Sequence, residues 1–122
     1  MQERISDAEF AIMEVLWDQA PLTATDVATR ISVGRDWSLT TVKTLLSRLL
    51  AKSVVGHSQD GRRFLYSPLV ERADYVTGES RRFVDRLFGG KLMPLVAHLA
   101  EQEALSKADI AEIERILREL KS

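Results

Sequence analysis

The most informative segment of the sequence is WSLTTVKTLLSRLLAK, residues 37–52. Wound as an α-helix at about 100° per residue, it separates into one apolar and one polar face. The apolar face consists of Leu39, Val42, Leu45, Leu46, Leu49 and Leu50, and the polar face of Thr40, Thr41, Lys43, Thr44, Ser47, Arg48 and Lys52. Ser38 precedes the first apolar residue and is the predicted N-cap. The pattern therefore predicts an amphipathic helix.

The predicted polar face contains no carboxylate, although the whole chain has 17 Lys and Arg against 18 Asp and Glu. Short hydroxyl side chains permit close approach to base edges, and Lys and Arg bind phosphates and guanines. A solvated surface is the usual explanation of a polar helix face. The missing acids, together with the sequence that follows, favour a helix that binds nucleic acid.

The composition and charge of the chain limit the classes of protein to which it can belong. The 122-residue chain has a net charge of −1, but residues 1–34 contain two bases and six acids, net −4, whereas residues 35–63 contain six bases and two acids, net +4. A local basic segment steers a protein to nucleic acid without indiscriminate binding. The lack of cysteine excludes disulfides and thiolate metal sites. With no signal-peptide pattern and no long apolar run, we expect a cytoplasmic protein that is not inserted in a membrane.

Two helices are predicted before the central stretch. Ser6 and Glu9 form a capping-box pattern that opens a core helix, which Pro21 ends. Thr23 is the predicted cap of a second, short helix that ends near residue 32. Trp17 is expected in the core and Trp37 at the start of the third helix, where contact between its indole N–H and a phosphate stays open.

The sequence after residue 52 predicts two short strands joined by Asp60-Gly61. This dipeptide indicates a two-residue hairpin, because both turn residues need positive φ. Arg62 and Arg63 directly follow the predicted turn and lie at its tip. Three helices followed by a basic hairpin are typical of a winged helix-turn-helix domain, in which the third helix enters the major groove.

Residues 71–122 are predicted to form three further helices. About 50 residues in three helices are too few to bury their apolar faces within one chain. We therefore predict a mainly α protein with a winged-helix DNA-binding domain in residues 1–70 and a helical, two-fold dimerisation domain in residues 71–122. Packing of these helices onto the winged helix of the same chain is the alternative. The expected interface residues are Phe83, Leu87, Leu95, Leu99, Ile113, Ile116, Leu117 and Leu120.

The chain resembles the penicillinase-repressor family, the BlaI/MecI/CopY group of bacterial transcriptional regulators. The resemblance rests on ISDAEFAIMEVLW (5–17), PLTATDV (21–27), DWSLTTVKTLLSRLLAK (36–52), DGRRFLYSPLV (60–70), FVDRLFGG (83–90) and LSKADIAEIERIL (105–117). It implies a homodimeric repressor on a pseudo-palindromic promoter operator, often with a TACA/TGTA core. The implied DNA contacts on the third helix are Thr40, Thr41, Lys43, Thr44 and Arg48. Ser47 on the same face and Arg62 and Arg63 of the hairpin complete the predicted DNA-binding set.

Three departures from the family pattern have consequences. Ser53 stands where members often have glycine, so a non-glycine residue must adopt the left-handed conformation after the third helix or the cap must be replaced. The copper-responsive branch senses metal through cysteines, which this chain lacks. The β-lactam-responsive branch is inactivated by proteolysis at an Asn-Phe bond. The matching position here is His98-Leu99, which makes it the candidate cleavage position and a membrane-bound sensor protease a candidate partner.

No pattern predicts catalysis. His57 and His98 lack metal-ligand spacing, and no nucleophile–base–acid set or glycine-rich phosphate loop stands out. We therefore expect no catalytic residue, no metal and no cofactor. Two other functions stay open: a dimeric winged-helix adaptor that binds protein instead of DNA, and a regulator with a small-molecule pocket between the dimer helices.

Overall fold

The computed structural model of the chain describes residues 4–32 and 34–122. Its elements are α1 (Asp7–Asp18), α2 (Ala24–Ile31), α3 (Leu39–Ala51), β1 (Val55–Asp60), β2 (Arg63–Pro68), α4 (Arg72–Phe88), α5 (Leu92–Glu101) and α6 (Lys107–Lys121). They form two compact units, Met1–Tyr75 and Val76–Ser122. Three helices followed by an antiparallel hairpin make the first unit a winged helix-turn-helix, so the predicted fold class is confirmed.

Hydroxyl caps begin the helices of the first unit at the positions predicted from the sequence. The backbone N–H of Glu9 donates to Ser6 Oγ at 3.1 Å, and Ser6 N–H donates back to the Glu9 carboxylate at 2.8 Å. Thr23 caps α2 in the same reciprocal way, and Ser38 Oγ accepts from the backbone N–H of Thr41 at 3.1 Å. These bonds supply partners for N–H groups that the first helical turn leaves unpaired.

The core of the first unit lies where α1, α2, α3 and the base of the hairpin meet. Its buried apolar residues are Ile12, Met13, Leu16, Leu22, Val27, Ile31, Val42, Leu45, Leu46, Leu49, Val54 and Val55. Four of these belong to α3, whose opposite face is therefore left to solvent. Leu39, the first residue of α3, is 38% exposed.

The hairpin turn differs from the prediction by one residue. Asp60 pairs with Arg63 across the strands, so the turn residues are Gly61-Arg62 and not Asp60-Gly61. An ion pair of 2.8 Å between the Asp60 and Arg63 side chains favours this register. Gly61 has a φ of +67°, whereas Arg62 does not have a positive φ. A glycine at the first turn position is typical of a type II′ hairpin.

Two backbone connections fix the hairpin to the helices of the first unit. Leu22, between α1 and α2, exchanges hydrogen bonds with Tyr66 of β2, at 3.1 Å and 2.8 Å. At the end of α3, Ser53 has a φ of +60°. A non-glycine residue thus takes the left-handed conformation at this position, which was one of the two outcomes expected from the sequence.

The second unit consists of helices with little internal core. In α4, α5 and α6 no residue is buried within the single chain. Gly89 and Gly90, with φ of +58° and +82°, end α4, and Ser106 caps α6. Across the described residues, no helix combines the length and the apolar character needed to cross a membrane.

The domain boundary expected after residue 70 stays a prediction. The two compact units meet between Tyr75 and Val76, inside α4. The first turn of α4 belongs to the first unit because the Tyr75 ring lies 5.8 Å from the rings of both Phe10 and Trp17.

Candidate nucleic-acid interface

The residues predicted to contact DNA lie on the solvent-facing side of α3. All six are exposed: Thr40, Thr41, Lys43, Thr44, Ser47 and Arg48. The opposite side of the helix is buried, so α3 has one fixed orientation in the unit. No acidic residue occurs between Leu39 and Ala51. The surface therefore offers hydroxyl donors and acceptors together with positive charge and no compensating acid of its own.

The two cations on this face are available for a ligand. Within residues 4–32 and 34–122, no carboxylate forms an ion pair with Lys43 or Arg48. Their hydrogen-bond donors are consequently free to bind phosphate oxygens or the acceptors of guanine. Short side chains lie between them on the helix surface, which lets the backbone of a bound duplex approach closely.

A cleft of about 450 Å³ lies between α3, the hairpin and the beginning of α2. Three predicted DNA-binding residues, Lys43, Arg62 and Arg63, line it, and so does Thr25 of α2. Arg63 also pairs with Asp60, whereas no ion-pair partner of Arg62 lies in the described part of the chain. Reasoning from the sequence predicted the three cations but not that α2 shares their cleft, since nothing local to α2 indicates the approach of the hairpin.

One acidic group belongs to the same cleft. Asp26 lines it and accepts a hydrogen bond of 3.2 Å from the backbone N–H of Thr23. That backbone bond is the main reason why the pKa of Asp26 lies below its ordinary value, with smaller effects of the Thr23 hydroxyl, Arg30 and Arg63. The carboxylate serves as part of the α2 cap. Three cations and one carboxylate line the cleft, and even with Asp60 paired to Arg63 the charge balance stays positive, which suits a phosphate of a nucleic-acid backbone.

Lys52 does not belong to this surface, although the sequence placed it on the polar face of α3. Its Nζ donates to Glu9 Oε1 at 2.7 Å and to the Arg4 carbonyl at 3.0 Å. Glu9 is only 2% exposed. Burial, the largest single influence, raises the pKa of Glu9, but hydrogen bonds from Lys52 and Ser6 together outweigh it and hold the pKa below 4.5. The pair joins α1 to the end of α3.

Both tryptophans are half-buried and adjoin the core. The indole N–H of Trp17 donates to the Val70 carbonyl at 2.9 Å, which explains why this ring lies at the edge of the core rather than inside it. Trp37 precedes α3, and the guanidinium of Arg35 lies 5.0 Å from its ring centre. Trp37 therefore supports the beginning of α3 from the apolar side and carries a cation on its outer side.

The residues predicted to form a dimer interface are accessible in the single chain. Phe83, Leu87, Leu99, Ile116, Leu117 and Leu120 are between 37% and 77% exposed, and Leu95 and Ile113 are half-buried. The candidate cleavage position, His98-Leu99, is exposed on α5. Among the residues that the structure describes, no group of three or more His, Asp or Glu side chains has the arrangement of a metal site.

The winged hairpin and the carboxylate-free face of α3 place the chain among the winged helix-turn-helix regulators. The family model described as penicillinase repressor matches residues 5–119. The chain belongs to this family, which confirms the resemblance found in the sequence.

Relatives match over most of their length. The penicillinase repressor of Bacillus licheniformis is 34% identical over 119 residues, which cover 98% of this chain and 93% of the relative. The methicillin resistance regulatory protein MecI of Mammaliicoccus sciuri is 34% identical over 113 residues, covering 93% and 92%. The solution structure of monomeric Bacillus licheniformis BlaI in complex with the blaP half-operator aligns with a TM-score of 0.53 and 35% identity. That alignment covers 62% of this chain and 92% of that one.

Proposed function

We propose that this protein is a transcriptional repressor that binds a pseudo-palindromic operator as a homodimer and thereby blocks a promoter. The observation that carries the proposal is the exposed face of α3, which presents hydroxyls, no acid and two cations that have no ion-pair partner among the described residues. The relatives named above support it, since one is named a penicillinase repressor, one is named a regulatory protein, and BlaI is described in complex with a half-operator. As a DNA-binding regulator the protein acts in the cytoplasm, where bacterial DNA lies.

In the proposed complex, α3 lies in the major groove. Lys43 and Arg48 bind phosphates or guanines, and the hydroxyl residues of the face, Thr40, Thr41, Thr44 and Ser47, approach base edges. The cleft beside Lys43 receives a backbone phosphate, with Arg62 and Arg63 of the hairpin on its other side. Each winged helix thus covers one half-site.

The helical region supplies the dimer contact in this proposal. Amphipathic helices are stable in water only when their apolar faces are covered, and α5 and α6 bury no residue in the single chain. The exposed leucines and isoleucines of α6 recur with helical spacing along one face, which a two-fold partner would cover. A dimer binds the two halves of a palindrome as one site and therefore binds far more tightly than a single small module.

Release of the operator is proposed to follow cleavage at His98-Leu99 or another signal that disrupts the helical region. Both residues lie within the helical backbone of α5. Proteases bind extended segments, so cleavage at this position requires α5 to unfold locally. Mass spectrometry of the protein from cells exposed to a β-lactam tests this step: a fragment that ends at His98 supports it, and an intact chain despite derepression contradicts it.

Selection of bound duplexes from a random DNA library tests the proposed function. We expect an enriched near-palindrome whose half-sites lie about one helical turn apart. On that duplex, Lys43→Ala or Arg48→Ala should weaken binding by about 1–3 kcal/mol if the side chain contacts a base. Lys107→Ala, an exposed lysine at the start of α6, is the matched control and should bind normally. Enrichment of no sequence, or normal binding by both α3 variants, refutes the assignment.

Sedimentation of a charged variant tests the dimer. Leu117→Asp places a charge on the exposed apolar face of α6 and should convert the protein to a monomer. Ala111→Asp introduces the same charge on the opposite side of the same helix and should leave the dimer intact. A dimeric Leu117→Asp variant would show that this face is not the interface.

A further inference from the structure

The threonines on the exposed face of α3 are not equivalent, because two of their hydroxyls are already engaged. Thr41 Oγ1 lies 3.1 Å from Ser38 Oγ and belongs to the cap of the helix. Thr44 Oγ1 donates to the backbone carbonyl of Thr40 at 3.0 Å, one turn earlier in α3. Such a bond is a regular option for threonine in a helix and fixes its rotamer.

The hydroxyl bond of Thr44 determines which group the residue offers to a ligand. With Oγ1 turned back to the helix backbone, the γ-methyl is the other heavy atom on Cβ and the group left for a ligand to contact. Thr44 is exposed. It thus presents an apolar group on a surface otherwise made of hydroxyls and cations.

Its position on the helix is central. At about 100° per residue, Thr44 lies about 40° from Thr40 and from Arg48 and about 60° from Ser47, with Lys43 at the margin of the face. The cations thus flank it, in positions suited to phosphates or guanines. The middle of the face is the part that lies deepest in the groove when the flanks contact the phosphate backbones.

We infer that the γ-methyl of Thr44 contacts the C5-methyl of a thymine in each half-site and selects thymine at that position. The inference rests on the proposed function. The thymine methyl is the apolar group that the major groove displays, and the methyl of threonine is one of its regular partners. Because the hydroxyl proton of Thr44 is donated within α3, the residue discriminates by methyl contact and not by donating a hydrogen bond to a base.

The test removes one methyl at a time, either from a thymine of the DNA or from Thr44 of the protein. In the duplex enriched from a random library, each thymine is replaced singly by deoxyuridine, which keeps base pairing and lacks only the C5-methyl. For the wild-type protein we expect about a fourfold loss of affinity at one thymine per half-site, the effect of about one buried methyl. Thr44→Ser keeps the hydroxyl and lacks the methyl, so it should bind the thymine duplex about fourfold more weakly and be insensitive to that deoxyuridine.

Two further variants make the result specific. Thr44→Val has the same shape, retains the methyl and loses the hydroxyl, so we expect near-normal affinity and full sensitivity to deoxyuridine. Thr29 is the matched control: it is exposed on α2 and donates to the Thr25 carbonyl at 3.0 Å, the same bond in another helix. Thr29→Ser should leave the sensitivity to deoxyuridine unchanged.

The outcomes separate this inference from the proposed function. If no duplex is enriched, the proposed function fails and the inference with it. If a duplex is enriched and no deoxyuridine weakens wild-type binding, the methyl contact is refuted and DNA binding stands. If Thr44→Ser loses the same affinity on the thymine and deoxyuridine duplexes, the two methyls are not coupled and the inference is equally wrong. A loss of affinity in Thr44→Val comparable to that in Thr44→Ser would assign the role to the hydroxyl and overturn it.

Discussion

Replacing Lys52 by methionine should destabilise the winged helix without removing a DNA contact. Lys52 Nζ is a charged donor to Glu9 Oε1, and Glu9 Oε2 is buried without a hydrogen-bond partner in the part of the chain that the structure describes. The variant therefore leaves a carboxylate that is 2% exposed without its counter-charge. Breaking a buried ion pair in this way costs about 3–5 kcal/mol. Because the Lys52 side chain is itself 22% exposed, water reaches the site in part, and we expect a loss of about 3 kcal/mol.

Urea unfolding followed by tryptophan fluorescence measures this loss. Both tryptophans of the chain, Trp17 and Trp37, belong to the first compact unit, so the signal reports the winged helix and not the helical region. Lys43→Met is the matched control, since Lys43 is exposed and forms no ion pair with any residue that the structure describes. It should leave the free energy of unfolding nearly unchanged. In DNA binding we expect the opposite: Lys43→Met lowers the salt dependence of binding, whereas Lys52→Met leaves it unchanged.

The pH dependence follows from the lowered pKa of Glu9. Since its pKa in the folded protein lies below 4.5, the pair stabilises the fold fully above that pH, and the contribution is lost as pH falls through the lowered pKa. The difference between wild type and Lys52→Met should therefore shrink in acid. Replacing Glu9 by Gln in the Lys52→Met background should restore part of the stability by removing the buried charge. An equal stability of Lys52→Met and Lys43→Met at neutral pH would show that the Lys52–Glu9 pair does not stabilise the fold.

Three further substitutions test the local structure by urea unfolding. Ser53→Gly should stabilise the protein by about 1 kcal/mol, because glycine adopts the φ of +60° without strain; an unchanged or lower stability contradicts this. Ser38→Ala should cost about 1 kcal/mol by removing the cap of α3, and full stability would mean that the cap contributes little. Trp17→Phe should cost about 1 kcal/mol, since it removes the indole donor to the Val70 carbonyl; no loss would argue against this bond.

Local patterns in the sequence were sufficient to predict the helices. The capping pairs that begin α1 and α2 involve residues three positions apart, so their chemistry is visible in a short window. The division of α3 into a buried and an exposed face follows from its apolar spacing alone. For the same reason, the exposed residues of α3, which are proposed to bind DNA, could be identified from the polar half of that pattern.

Contacts between distant residues could not be predicted in this way. Lys52 and Glu9 are 43 positions apart, and only the packing of α1 against α3 brings them together. The sequence places the hairpin turn at Asp60-Gly61, one residue before the observed turn at Gly61-Arg62. The preference of Asp-Gly for a turn competes with the Asp60–Arg63 side-chain pair. The approach of Arg62 to the beginning of α2 likewise depends on the bridge between Leu22 and Tyr66, which has no local signal.

The exposed face of α3 is proposed to bind a specific duplex. A fluorescence anisotropy titration of the full chain with the enriched duplex and a scrambled duplex, each at two salt concentrations, tests this proposal. We expect the enriched duplex to bind at least about a thousandfold more tightly than the scrambled one, and both affinities to fall steeply as salt rises. Equal affinities for the two duplexes, or binding that is indifferent to salt, would contradict the claim.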